Sequence, residues 1–392
     1  MPPVSELPRP DADACAHSAR VGAHIAAEIA AAGGWITFAR YMELALYAPG
    51  LGYYAAGATK FGAAGDFVTA PEMTPLFGAA LAVQVALILD AAPRREIVEL
   101  GAGSGRLAAD LLVALAARGA SPSRYAILEP SPDLRERQRA TIARDAVQEL
   151  ARVEWLSALP PAIDGAVIAN EVLDALPPQL VARQRGTIFE RGVAVAAGAD
   201  GGAAFAWEDR PADARVAALA AARFPAGGDY LSEINPAAEA LVQMIGRRLV
   251  GGAMLLIDYG FPAAEYYHPQ RNAGTVMCHY RHRAHADPFS WPGLTDITAH
   301  VDFSAIAAAG ARAGLQVAGF APQAAFLLGC GILDALAAVG APESLAYAKA
   351  AAPVQKLLSP AEMGELFKVL ALAKSDAIAW PGFALGDRSP RL

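Results

Sequence analysis

The clearest chemical signal in this 392-residue chain is Glu99-Leu100-Gly101-Ala102-Gly103-Ser104-Gly105. Glycines at alternate positions let a backbone turn with positive φ and approach a ligand with no Cβ in the way. Two ligand classes use such a turn between a first strand and a first helix. A dinucleotide requires Gly-x-Gly-x-x-Gly, which brings its pyrophosphate to the helix N-terminus. Here the third glycine comes two residues after the second, and Arg106 follows. The Glu-x-Gly-x-Gly-x-Gly spacing suits the amino-acid and ribose portions of S-adenosylmethionine instead. A dinucleotide enzyme and a tight turn without a ligand remain the alternatives.

Polar residues recur where further strands are expected to end. Glu129 closes a second strand and can accept hydrogen bonds from ribose hydroxyls, a role expected in either ligand class. Glu99 can help hold a cationic methionine end. Asn170-Glu171-Val172-Leu173-Asp174 follows a later strand, where two carboxylates and an amide can orient a polar acceptor; Asp174 can equally cap a turn. Asp258-Tyr259-Gly260 ends the next strand on the same expected crevice edge, or simply turns the chain. His279, His282 and His285 come at intervals of three beside Arg281 and Arg283. Without an HExxH pattern or a cysteine pair, they read as a polar surface loop and not as a metal site.

The elements that must position these residues follow from periodicity. Helical spacing covers Asp13–Ala32, Phe38–Leu46 and Thr74–Asp90, and the Gly-, Pro- and Tyr-rich stretch 47–75 reads as a functional loop. From Glu96 the rhythm is β-α-β-α-β: strands at Glu96–Leu100, Tyr125–Leu128 and Ala166–Ala169, with helices to about Arg118 and over Leu134–Gln148. Such alternation predicts a parallel sheet between helices, an α/β fold. The third of these strands is expected to be the fourth of the sheet. Antiparallel strands over Val181–Trp207 about a turn at Gly198–Gly202 mark an insertion. A helix at Pro236–Leu249, a strand at Ala253–Ile257, a helix at Phe303–Ala313 and a strand at Leu315–Phe320 resume the pattern. Ser359-Pro360-Ala361-Glu362 has capping-box spacing and predicts a terminal helix. The expected organisation is an N-terminal helical and loop lid (1–92), the first part of the core (93–180), an insertion (181–230) and the remainder of the core (231–392).

Composition removes several classes. Hydrophobic residues are 55% of the chain and charged residues 18%, below the roughly 25% of ordinary soluble domains. The mean hydropathy of +0.29 comes mostly from alanine, and no stretch gives the ~20 uninterrupted apolar residues of a membrane span. A net charge of −7 without a basic run argues against nucleic acid and tolerates a basic protein partner. Three scattered cysteines predict neither a disulfide framework nor a zinc site. The N-terminus has neither a secretory h-region nor an Arg-rich presequence, so a cytoplasmic protein is expected. Oligomeric state is not legible.

Five segments taken together are more specific: Gly65-Asp66-Phe67-Val68-Thr69-Ala70-Pro71-Glu72, Glu99–Gly105, Asn170–Pro177, Leu256–Gly260 and Asp296–Phe303. In this order, from about Ile36 to Leu370, they resemble the MidA-like family of S-adenosylmethionine-dependent methyltransferases. Its mitochondrial members are complex I assembly factors that act as protein arginine methyltransferases; the N-terminus departs from them in having no presequence, which implies a bacterial relative. The resemblance implies a class I, Rossmann-like methyltransferase core using S-adenosyl-L-methionine, and a protein substrate, either a respiratory-complex subunit or another arginine-bearing protein. It implies that the Gly65–Glu72 loop faces the cofactor, so that Gly65, Asp66 and Asn170 join Glu99, Gly101, Gly103, Gly105 and Glu129 as cofactor residues. For the reaction, Glu171 is the first candidate to hold and deprotonate the acceptor, with Asp174 and Asn170 beside it. Glu72, Asp258, Tyr259, His300 and Asp302 are assigned to the site wall. Methylation of a small molecule, and a cofactor-binding scaffold with little catalysis, are the competing functions.

Overall fold

A computed structural model describes residues 7–55, 69–197 and 203–392, and divides the chain into two compact units. One unit is drawn from Val68–Leu173, Glu239–Pro262 and Phe303–Leu392; the other from Met1–Phe67, Asp174–Ala238 and Ala263–Asp302. Ala263–Asp302, expected in the core, thus groups with the N-terminal and inserted stretches, and the helix Pro75–Asp90 groups with the core.

The first unit is built on strands β1 Glu96–Leu100, β2 Arg124–Leu128, β3 Val153–Leu156, β4 Ile163–Asn170, β5 Leu249–Phe261, β6 Gln316–Pro322 and β7 Phe367–Ala373. They lie in the order β6-β7-β5-β4-β1-β2-β3, with β7 antiparallel to both neighbours and the pairs from β5 to β3 all parallel. The fold is therefore α/β with a mostly parallel sheet. Ile97, Ile127, Ile168, Leu255 and Ile257 join one hydrophobic cluster with the uncharged face of α1 (Pro75–Asp90). The alternating residues Val98, Ala126, Val167, Met254 and Leu256 are buried too, so both sheet faces are covered. Helix Phe303–Arg312 approaches one of them so closely that a Cβ on Gly310 would lie 2.7 Å from Leu372 Cδ1. Two helices flank the glycine turn and β2: α2 (Arg106–Ala117) and α3 (Pro132–Asp145), the latter capped by Ser131 with Pro132 in its first turn.

Two sequence expectations are corrected here. Ser359 ends the helix Leu345–Leu358, and Ser359-Pro360-Ala361-Glu362 starts no helix; the chain turns and enters β7. Phe367–Ala373 is buried at every position, and a short continuous apolar run carries no period to distinguish strand from helix. β3 has no counterpart among the predicted strands, because its four residues are only half-buried. Its presence makes Ile163–Asn170 the fourth strand, as expected.

In the second unit, helix Ala12–Ala31, capped by Asp11, buries Val21, Ile25 and Ile29 at four-residue spacing against helix Phe38–Tyr47. Its larger sheet runs Ile36–Thr37, Thr187–Ala197, Gln179–Gln184, Tyr230–Ile234, with Ala203–Pro211 also on Thr187–Ala197. The predicted turn Gly198–Gly202 lies outside the described residues. A three-stranded sheet orders Arg283–His285, Met277–Tyr280 and Asp296–Thr298. The histidine-rich stretch is thus not a polar surface loop: His285 is fully buried opposite the equally buried Cys278, while His282 is exposed.

Candidate functional site

The registers Leu100↔Leu128, Leu100↔Ala169 and Ile257↔Asn170 bring the carboxyl ends of β2, β1, β4 and β5 to one edge of the sheet. The glycine turn leaves β1 there. Gly101, Gly103 and Gly105 have φ of +59°, +52° and +82°, the left-handed region where a Cβ is penalised. A Cβ on Gly105 would also lie 2.9 Å from Gln138 Cα, so the third glycine makes room for α3. Ser104 Oγ donates to Glu72 Oε1, which brings Glu72 onto the turn.

Two acids of the expected cofactor set are buried here. Glu99 accepts from Tyr125 OH at 2.8 Å; burial pushes its carboxyl up to about 7, against the opposing effect of that hydrogen bond. Glu129, just past β2, accepts from Ser131 N at 2.9 Å on Oε1 and from Gln138 Nε2 at 3.1 Å on Oε2. Burial raises its pKa, while those bonds and Arg135 pull the other way. Arg135 Nε donates to Glu129 O at 2.6 Å and its Nη2 to Leu156 O at 3.0 Å, tying the ends of β2 and β3 together.

At the end of β4, Glu171 has φ +53°, unusual for a side-chain-bearing residue and a common mark of functional sites. Its N–H donates to Ile257 O at 2.9 Å, and Asn170 Nδ2 donates to Glu171 Oε1 at 3.2 Å. Asn170 Oδ1 is buried with no hydrogen-bond partner among the described residues. Asp258 accepts from Leu173 N at 3.0 Å and Tyr259 N at 2.9 Å, so it pins the turn after β4 to the end of β5. Tyr259 meets Phe367 edge-on, ring centroids 5.3 Å apart.

Ten of the sequence-selected residues therefore share this unit: Glu72, Glu99, Gly101, Gly103, Gly105, Glu129, Asn170, Glu171, Asp258 and Tyr259. Asp174, His300 and Asp302 belong to the other unit. There Asp174 is buried and its carbonyl accepts from Ala299 N at 3.0 Å, His300 N donates to Thr275 Oγ1 at 3.0 Å, and Asp302 is half-buried. Gly65 and Asp66 lie outside the described residues. Sequence reasoning missed Tyr125, Arg135 and Gln138. For Gln138 the available signal was a glutamine between Leu134 and Ile142 on the inward stripe of α3. Among the described residues there is no group of three or more His, Cys, Asp or Glu that could hold a metal ion, and no helix is long and apolar enough to cross a membrane.

A family model of S-adenosyl-L-methionine-dependent methyltransferases, Methyltransf_28, matches residues 80–321. A crystal structure of a COG1565 superfamily member from Burkholderia thailandensis, bound to S-adenosyl-homocysteine, is similar over 99% of this chain and 100% of its own, at 52% identity and a TM-score of 0.94. Among curated proteins, the mitochondrial protein arginine methyltransferase NDUFAF7 of Danio rerio is 28% identical over 91% of this chain and 87% of its own length. The Mus musculus protein of the same name is 30% identical over 86% and 81%.

Proposed function

The chain belongs to this family of S-adenosyl-L-methionine-dependent methyltransferases, and we propose that it methylates arginine side chains of a protein substrate. S-adenosyl-L-methionine, when bound, supplies an electrophilic methyl group on a sulfonium. The residues at the sheet edge suit it. Among the described residues each Glu129 carboxylate oxygen accepts one hydrogen bond, which leaves a lone pair for a ribose hydroxyl. The buried Asn170 Oδ1 calls for a donor that no described side chain supplies. Glu99 is a buried carboxylate that a cation would hold ionised.

The acceptor reading is carried by Glu171, a carboxylate fixed at positive φ on the same strand end and steadied by the Asn170 amide. A guanidinium is a poor nucleophile while its charge is delocalised and its pKa stays above ~12. Glu171 holds it by charge-assisted hydrogen bonds, localises charge away from the attacking nitrogen and takes its proton. Arginine as the target is supported by the names of the curated relatives.

A labelled-methyl transfer assay on cell extract, followed by mass spectrometry of the product, tests this reading. The expected product is a protein methylarginine. Glu171→Ala should lower turnover by about 10²- to 10⁴-fold while S-adenosyl-homocysteine affinity stays within about threefold. Label found only on small molecules, or on another side chain, would overturn the arginine assignment.

A further inference from the structure

Gln138 has its side-chain amide fully hydrogen-bonded beside the glycine turn. It lies on α3 and is completely buried. Its one amide nitrogen donates to Gly103 O and to Glu129 Oε2, both at 3.1 Å, which uses both of its hydrogens. Its amide oxygen accepts from Trp155 Nε1 at 2.9 Å, and that bond fixes which end of the amide faces the acid. Trp155 is itself covered by Arg139, whose guanidinium carbon lies 4.3 Å from the ring centroid. The backbone of Gln138 is equally engaged, since it fills the space that a Cβ on Gly105 would need. Three separate elements, the β1–α2 turn, the end of β2 and the edge strand β3, are thus joined through one side chain.

We propose that Gln138 is a positioning residue for the cofactor ribose, aiming the Glu129 carboxylate and locking it to the glycine turn. A carboxylate held by Ser131 N alone can rotate about its terminal bond. The Gln138 bond stops that rotation and occupies one direction on Oε2, so the remaining lone pairs have a fixed heading. The same amide restrains the Gly103 carbonyl, so the acid and the turn keep one spacing. The inference rests on Glu129 being the ribose acceptor.

The test is ribose discrimination, measured by calorimetry with S-adenosyl-homocysteine and its 2′-deoxy and 3′-deoxy analogues. The wild-type protein should bind at least one deoxy analogue about tenfold more weakly than the parent, the worth of one hydrogen bond to a charged group. Gln138→Met keeps the bulk and removes all three hydrogen bonds; the parent should then bind about tenfold more weakly and the discrimination should fall below about threefold. A residue that only held the fold would weaken all three ligands alike and leave the ratio unchanged, and that result in a folded variant would overturn the proposal. Trp155→Phe removes the bond that orients the amide while keeping an aromatic ring at a half-buried position, and serves if Gln138→Met does not fold. It should reduce the discrimination, and full retention would likewise overturn the proposal. A wild-type protein indifferent to both hydroxyls would remove Glu129 as ribose acceptor, a separate failure that takes this inference with it.

Discussion

Glu233 in the antiparallel unit and Glu129 in the parallel unit are buried almost equally, 2% and 4% exposed, yet their carboxylates are treated differently. Glu233 accepts from Thr275 N at 2.6 Å and Val276 N at 3.0 Å on one oxygen, and on the other from Thr275 Oγ1 and Tyr266 OH, both at 3.2 Å, and Ser232 Oγ at 3.5 Å. A Cβ on Gly274 would stand 2.5 Å from it. Protein donors take up its acceptor capacity, so it acts as a staple for the chain at 274–276. Glu129 has one donor on each oxygen among the described residues, and Glu99 has only Tyr125. A buried acid that costs desolvation and is left short of donors is one whose remaining partners can come with a ligand. Saturation, more than burial, separates the structural acid from the two proposed to meet the cofactor.

The largest effect that would break this contrast is on folding. Glu233→Leu leaves five donors without that acceptor at about 1–3 kcal/mol each, so the protein should lose its cooperative melt or show a Tm lower by more than about 10 °C in a thermal scan. A near-native melt would show that Glu233 is not a staple. Next in size, Gly103→Val forces a β-branched residue to φ +52° beside the acids. Affinity for S-adenosyl-homocysteine should fall by at least about 100-fold, while the melt in the absence of ligand shifts by only a few degrees, as expected of roughly 1–3 kcal/mol of backbone strain. Undiminished binding would mean that the turn does not face the cofactor.

The smallest effect concerns pH. The Glu99 carboxyl is raised to about 7 by burial. A cationic ligand group beside it holds it ionised, so below pH 7 binding must expel its proton. Affinity for S-adenosyl-homocysteine should therefore rise about tenfold from pH 6 to pH 8 and level off above. Calorimetry in buffers of different ionisation enthalpy should register proton release below pH 7 and little at pH 8. A flat profile would separate Glu99 from the cofactor's cationic end.

The parallel unit was largely readable because its rules are local. Strand, glycine turn and helix follow one another within Glu96–Ala117, and the ends of β1, β2, β4 and β5 each carry an acid or amide. Helix limits agree within one residue at Pro75–Asp90, and equally at Ala12–Ala31 and Phe38–Tyr47 of the other unit, where the periodicity is just as local. The misses had local causes as well: β3 is four half-buried residues, and β7 is apolar without period. The antiparallel unit was harder, since its three contributing stretches are separated by more than a hundred residues of the parallel unit at one junction and by 24 at the other. Nothing local reveals that Glu233 will meet Thr275, or that His285 will be buried opposite Cys278.

By itself the sequence determined the fold class, the glycine turn and the acids at the strand ends, because φ-permissive glycines and terminal carboxylates are properties of single positions in a repeating βα pattern. Only the tertiary structure decided which of those acids are short of donors. It also decided that Gln138 joins Gly103 to Glu129, and that Gly105 yields its space to α3. A hydrogen bond of about 3 Å between residues tens of positions apart depends on how helix and sheet pack, and no spacing along the chain encodes it.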